Sequence, residues 1–262
     1  MEFFDFINDI IDVPNTQKAF KILVDIASKN TNKKYINYKD DNEIKLNKRG
    51  LYILINLINY KSFYDKIPDT DQGKELKYNG FVVIKNIKVI KHKIVNINEI
   101  CKNIFNINDA SVSLKEHKLV GPHSDSQNQI HMDRAHPTIK WFLYTNNVSA
   151  KNGAFCYSKG SHVPTKEKLQ FLYKISCMTH KNKEINQHLD KHALGAIRVA
   201  KNNKIMETKM IEQMKFEPCN PLEYDSYTLI IADTSGFHKR GVINKGEKRT
   251  VLLNQIGFPK NV

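Results

Sequence analysis

Gln129-Ile130-His131-Met132-Asp133-Arg134-Ala135-His136-Pro137-Thr138-Ile139-Lys140-Trp141-Phe142-Leu143-Tyr144 is the stretch from which the rest of the chain can be read. It closes on a short run of β-branched and aromatic residues, Ile139 to Tyr144, which composition marks as a buried strand. Just before that run, a histidine and a carboxylate stand two residues apart. On extended backbone, residues two apart point to one face, so His131 and Asp133 are offered side by side.

Downstream, a second apolar strand is expected over residues 227–232, followed by the turn Asp233-Thr234-Ser235-Gly236-Phe237 and then His238. An imidazole carried from that rigid rim would complete a set of two histidines and one carboxylate. Such a set leaves open positions around a metal, as non-haem iron(II) oxygenases require. Eleven residues further on, Arg249 opens a last strand, over 250–258, and its guanidinium can fork onto a carboxylate. A second histidine-x-aspartate is present, His123-Ser124-Asp125, behind Gly121-Pro122 in a polar, loop-like setting. It is the alternative ligand pair, although it lacks an adjoining strand.

Further strands are expected at 81–84 and 154–157, and a short helix at 97–105. The first 75 or so residues read as helical, with apolar spacing over 16–29 and a more apolar segment at 51–60. A turn-like Pro68-Asp69-Thr70-Asp71-Gln72-Gly73 follows. Residues 166–215 are lysine-rich and helix-like, with Leu169, Leu172 and Ile175 on one face. Asn152-Gly153 is a tight turn in which glycine tolerates positive φ. Gly160-Ser161-His162 reads as a structural corner, and Trp141 as core.

The chain of 262 residues is long enough for a proper core without disulfides. Its four cysteines are far apart and form no CxxC, which argues against a zinc finger or redox dithiol. With no signal peptide evident, a reducing cytoplasm is the expected location. The longest apolar run, residues 51–58, is too short to span a bilayer, so a soluble protein is expected. Net charge is +14, unevenly spread: residues 1–80 hold 13 Lys+Arg against 12 Asp+Glu, and residues 81–262 hold 28 against 15. A positive field of this kind suits an acidic small substrate, nucleic acid or an acidic protein. No basic stretch is interleaved with regular aromatics, so nucleic acid is not the expected partner.

Taken in order, Gln129-x-His131-x-Asp133, Asn152-Gly153-Ala154-Phe155, Gly160-Ser161-His162, His238 and Arg249 resemble the phytanoyl-CoA hydroxylase-like family of iron(II)/2-oxoglutarate dioxygenases. The likeness spans roughly residues 78–258, and the five-part order is far more specific than any one part. It implies that His131, Asp133 and His238 bind iron(II) and form the catalytic centre. It also implies that Arg249 holds the far carboxylate of 2-oxoglutarate, with Tyr144 and Gln129 as further cosubstrate candidates. Dioxygen would be the oxidant, a small and possibly anionic metabolite the substrate, and succinate and carbon dioxide the by-products of hydroxylation.

The implied fold is α+β with a mainly β core: a double-stranded β-helix of jelly-roll, cupin-like type. Residues 1–77 would form helices on one face of a domain over 78–262, with a helical insertion at about 166–225. Two features depart from the pattern or add nothing to it. Arg240 stands two residues after the distal histidine, where a small hydroxyl residue is common, and no feature supports coenzyme A. Asp133 argues against halogenation, which needs a small residue in its place. Two readings from other classes use the same residues: a zinc hydrolase with the same three ligands, and a non-catalytic binding protein on the same fold.

Overall fold

Thr70 begins the first helix of the core. The structure, a computed structural model, describes residues 60, 62–91, 93–108, 114–165, 167–168, 171–172, 197–198, 209 and 211–255. The helices expected over 16–29 and 51–60 lie outside the described residues apart from Tyr60, as do most of 166–215 and the end of the last strand. Contacts divide the chain into two compact units, Met1–Asp65 with Pro164–Gly195, and Lys66–Val163 with Ala196–Val262. All the elements named below belong to the second unit.

Helix α1, Asp71–Asn79, replaces the second half of the expected turn. The Thr70 hydroxyl accepts the Gly73 N–H at 3.0 Å, so Asp71-Gln72-Gly73 becomes a capped first turn rather than a reversal. The helix stops at Gly80, whose N–H closes on the Leu76 carbonyl at 2.9 Å. Helix α2, Ile97–Phe105, lies where it was expected and buries Ile100, Cys101 and Ile104 along one stripe. Thr70 also donates its hydroxyl hydrogen to the Asn103 carbonyl, tying the start of α1 to α2.

Among the described residues, twelve strands follow one another: β1 Phe81–Ile84, β2 Val89–Ile90, β3 Lys93–Ile94, β4 Lys115–Val120, β5 His131–Met132, β6 Ile139–Tyr144, β7 Phe155–Tyr157, β8 Ile197–Arg198, β9 Asn220–Pro221, β10 Thr228–Asp233, β11 His238–Arg240 and β12 Lys248–Gln255. One antiparallel sheet has the order β1-β10-β6-β12-β4, and a second has β8-β5-β11-β7-β9. From β4 to β7 and again from β9 to β12, successive strands alternate between the two sheets. The small β2-β3 pair stands apart.

Register decides which side chains meet. Ile230 lies opposite Phe142, and Val251 opposite Tyr144. These join Phe81, Ala232, Phe155 and Tyr157 in one cluster between the sheets, where Phe142 stacks on Phe155 at 4.5 Å. Trp141 and Leu143 alternate to the opposite face of β6 and are fully buried, so Trp141 is core as expected. Strand β10 is buried along its whole length, whereas β4 (Lys-Glu-His-Lys-Leu-Val) is an exposed edge that pairs only with β12. A lysine-studded edge has no apolar alternation to read, and charges there discourage pairing with another chain.

Within the stretch read as a helical insertion, Ile197–Arg198 pairs with β5 and Asn220–Pro221 pairs with β7. Two-residue edge strands are held by backbone hydrogen bonds and carry no pattern of their own. Among the described residues, no helix is long and apolar enough to cross a membrane.

Candidate metal centre

His131 and His238 are direct register partners in the β5–β11 pair, with ring centroids 4.4 Å apart. Each ring is fixed in the same way. His131 Nδ1 lies 2.7 Å from the Gln129 carbonyl, and His238 Nδ1 lies 2.9 Å from the Gly236 carbonyl. A carbonyl only accepts, so each Nδ1 carries the hydrogen and each Nε2 keeps its lone pair for a metal. Both Nε2 atoms face Asp133, at 3.9 Å from Oδ1 for His131 and 3.7 Å from Oδ2 for His238. The three ligand atoms lie within 4.8 Å of one another. Metal–nitrogen bonds of about 2.0–2.1 Å place neighbouring donors roughly 3–4 Å apart, so only a small contraction is needed.

The 233–237 turn sets this geometry. Asp133 donates its N–H to the Thr234 carbonyl at 2.9 Å, and Asp233 Oδ1 accepts from the N–H groups of Thr138 and Ser235 at 2.8 and 2.9 Å. The Phe237 N–H, one residue before His238, donates to Ser161 Oγ at 2.7 Å. Tyr157 donates its hydroxyl to the Asp233 carbonyl at 2.8 Å. A Cβ at Gly236 would fall 1.9 Å from that hydroxyl, so only glycine fits between the turn and Tyr157. Gly160-Ser161-His162 is therefore the corner that clamps the turn, with His162 Nε2 on the Lys77 carbonyl at 3.0 Å, remote from the ligands.

Electrostatics put His238 and Asp133 in the protonation states a cation needs. Burial, and then the neighbouring His131, push the His238 imidazole down to about 3, so it is neutral at physiological pH. For Asp133, burial alone would raise the carboxyl. The positive charges of His238 and Lys140, with hydrogen bonds from Lys140 and Thr234, overcome it and hold Asp133 at about 2. Because His238 is charged only in strong acid, Lys140 is the constant partner near neutrality. Its Nζ lies 2.6 Å from Asp133 Oδ2.

Arg249 forms a second feature of the same interior. It is 6% exposed, touches the Tyr144 hydroxyl at 3.4 Å and lies against that ring, and its Nε has no partner. Among the described residues, no carboxylate pairs with it. A buried cation without a counter-ion is costly. Gly153, at φ +84, runs its backbone along the Arg249 stem, where a Cβ would come within 2.9 Å of Cδ.

The other sequence candidates separate cleanly. His123 and Asp125 pair with each other at 3.3 Å, in a half-exposed loop. Asp125 also takes Arg240 at 2.7 Å, so Arg240 fastens that loop and is not a spare anchor. Gln129 contributes its carbonyl to the His131 ring. Burial pushes the Cys101 and Cys156 thiols up to about 11, consistent with inert core cysteines. Lys140 was not foreseen. The readable signal was a lysine on the same alternate positions as Phe142 and Tyr144, inside an otherwise apolar strand.

No family model and no curated protein matches the chain. Solved structures do. One is HygX from Streptomyces hygroscopicus with nickel and 2-oxoglutarate bound, 11% identical over 71% of this chain and 84% of that one, TM-score 0.42. Another is the epimerase SnoN in complex with Fe3+, alpha ketoglutarate and nogalamycin RO, 9% identical over 73% and 86%, TM-score 0.40. A third is EvdMO1, 11% identical over 70% of this chain, TM-score 0.37, and the chain covers 48% of that protein's length. Likeness of this degree does not reach individual residues, and the chemistry of the site rests on its own geometry.

Proposed function

We propose that this chain is an iron(II)- and 2-oxoglutarate-dependent oxygenase that hydroxylates a small anionic metabolite, on a double-stranded β-helix like that of the phytanoyl-CoA hydroxylase-like family. The alternation of β4 to β7 and β9 to β12 between two sheets supports the jelly-roll assignment. One observation carries the functional reading. A site of two imidazoles and one carboxylate shares its interior with a buried arginine that, among the described residues, has no acid partner. A metal hydrolase gives that arginine no role, whereas a dicarboxylate cosubstrate needs it.

The donor set of two nitrogens and one carboxylate oxygen suits iron(II) and leaves positions open. Bound iron with 2-oxoglutarate and dioxygen supplies the oxidising power, leaving succinate and carbon dioxide. The chain's own residues bind, orient and exclude water. His131, Asp133 and His238 hold the metal, and Arg249 with Tyr144 receives the far carboxylate as a fork. Phe142 and Phe155 keep the space between the sheets apolar, and Phe155 lies 5.4 Å from the His238 ring. The surplus of basic residues over 81–262 supports an anionic substrate, steered by a field that salt screens over about 8–10 Å.

The deciding experiment is anaerobic reconstitution with iron(II), then air and 2-oxoglutarate, following succinate and dioxygen uptake. Stoichiometric iron with slow succinate release supports the proposal even before a substrate is known. Tight zinc binding with no 2-oxoglutarate turnover would replace it with the hydrolase reading.

A further inference from the structure

Lys140 faces the interior beside the candidate metal site, and neither metal nor cosubstrate binding gives it a role. Alternation along β6 puts it on the face of Phe142 and Tyr144, opposite Ala232 of β10 and Gln255 of β12. An ammonium there has few reasons to point inward, since a lysine side chain loses much freedom on ordering and prefers water. Yet its side chain is only 30% exposed, and Nζ contacts a single atom of the metal site, Asp133 Oδ2, at 2.6 Å. The backbone of Asp133 is pinned by Thr234, but that bond does not decide how its two oxygens are used. A carboxylate can bind a cation through one oxygen or chelate it through both. Chelation would consume one of the positions that an oxygenase has to keep open.

We propose that Lys140 is a positioning residue: by holding one oxygen of Asp133, it makes that carboxylate a one-oxygen ligand and keeps the remaining metal positions open. The inference rests on the reading of His131, Asp133 and His238 as a metal site. It assigns to Lys140 a role in how the metal is bound rather than in whether it is bound.

Manganese(II) tests this without any turnover, because it accepts the same nitrogen and oxygen donors and its effect on water proton relaxation counts the waters on the ion. In the unaltered protein, three protein ligands should leave about three water positions. In Lys140→Met, and equally in Lys140→Gln, the released carboxylate chelates, and relaxivity per bound ion falls by about a third. Lys140→Arg, which keeps a cationic donor, should retain the original value. Relaxivity that is the same in all four proteins, whatever the change in affinity, overturns the proposal and leaves Lys140 as a mere neighbour or competitor of the metal. Failure of the unaltered protein to bind manganese at one ion per chain would instead remove the metal-site reading.

Discussion

His123-Ser124-Asp125 and His131-Met132-Asp133 have the same spacing, lie eight residues apart and end in different roles. In the first, the two side chains turn to each other across 3.3 Å in a half-exposed loop, and Asp125 is shared with Arg240. In the second, the carboxylate lies 3.9 Å from its own histidine and 3.7 Å from a histidine 105 positions later. The difference is not in the tripeptide but in what faces it. Strand β5 pairs with β11, so a third donor is delivered by register, and both rings are oriented from behind by backbone carbonyls. The loop pair has a guanidinium in front of it, which neutralises its carboxylate and repels a cation.

The sharpest way to break this contrast is to remove one histidine from each pair. His131→Ala and His238→Ala should lose iron(II) and all succinate formation, since two donors do not hold the ion firmly. His123→Ala should keep both. Metal content after anaerobic loading and desalting reads this directly, and iron retained by His131→Ala but lost from His123→Ala would exchange the roles of the two pairs.

A parallel contrast separates the two arginines. Arg249 is buried without an acid, and Arg240 already pairs with Asp125 at 2.7 Å. Loss of a charge-assisted fork in a buried site costs on the order of 3 kcal/mol, so Arg249→Ala should weaken 2-oxoglutarate about a hundredfold. Arg249→Lys should recover only part of this, because an ammonium cannot fork. Arg240→Ala should move 2-oxoglutarate affinity less than threefold. Calorimetric titration under anaerobic conditions would measure all three, and equal losses at both positions would mean that Arg249 is not the anchor.

How far the sequence could be read follows from the same physics. Strands β1, β6 and β10 are apolar runs that each pack on buried neighbours, and they lie within a residue of where composition puts them. His131, Asp133, His238 and Arg249 were legible because each is tied to such a strand or its turn. Strand β4, a run of charges, and the two-residue β8 and β9 exist only through pairing with partners far along the chain, which no local pattern announces. Helix α1 was hidden by Pro68-Asp69-Thr70, a turn signal that proved to be the approach to a cap. Lys140 escaped notice because its contact with Asp133 arises only in the fold, not in any local pattern.

A smaller effect is expected where the turn before His238 meets its corner. Gly236→Ala places a methyl 1.9 Å from the Tyr157 hydroxyl and 3.0 Å from Ser161 Oγ, both part of the clamp behind His238. Overpacking of this kind costs about 1–3 kcal/mol. The melting temperature should fall, and iron affinity should fall with it as the His238 ring is displaced. Tyr157→Phe removes the hydroxyl but leaves ring carbon Cζ 2.5 Å from the new methyl, so in that background the alanine should be only partly better tolerated. Additive losses in the double variant would show that the clash is relieved elsewhere.

The smallest effect should come from the loop pair itself. Burial alone would raise the Asp125 carboxyl, but the Gln127 N–H, Arg240 and His123 together bring it below its ordinary value. A carboxylate whose folded pKa is depressed stabilises the fold above its unfolded pKa, near 3.9, and loses that contribution as pH falls through the lower folded value. Asp125 also caps the short helical turn at Ser126–Asn128, accepting from Gln127 at 2.8 Å. Because the ion pair is partly exposed, cap and pair together should contribute only about 1 kcal/mol. Asp125→Ala should therefore melt slightly below the unaltered protein at pH 7, and the gap should narrow as pH falls below the ordinary carboxylate range and through the lowered folded value. Iron occupancy should stay unchanged throughout. A loss of iron in this variant, against an intact His131, would mean that the loop supports the metal site and that the two pairs are not independent.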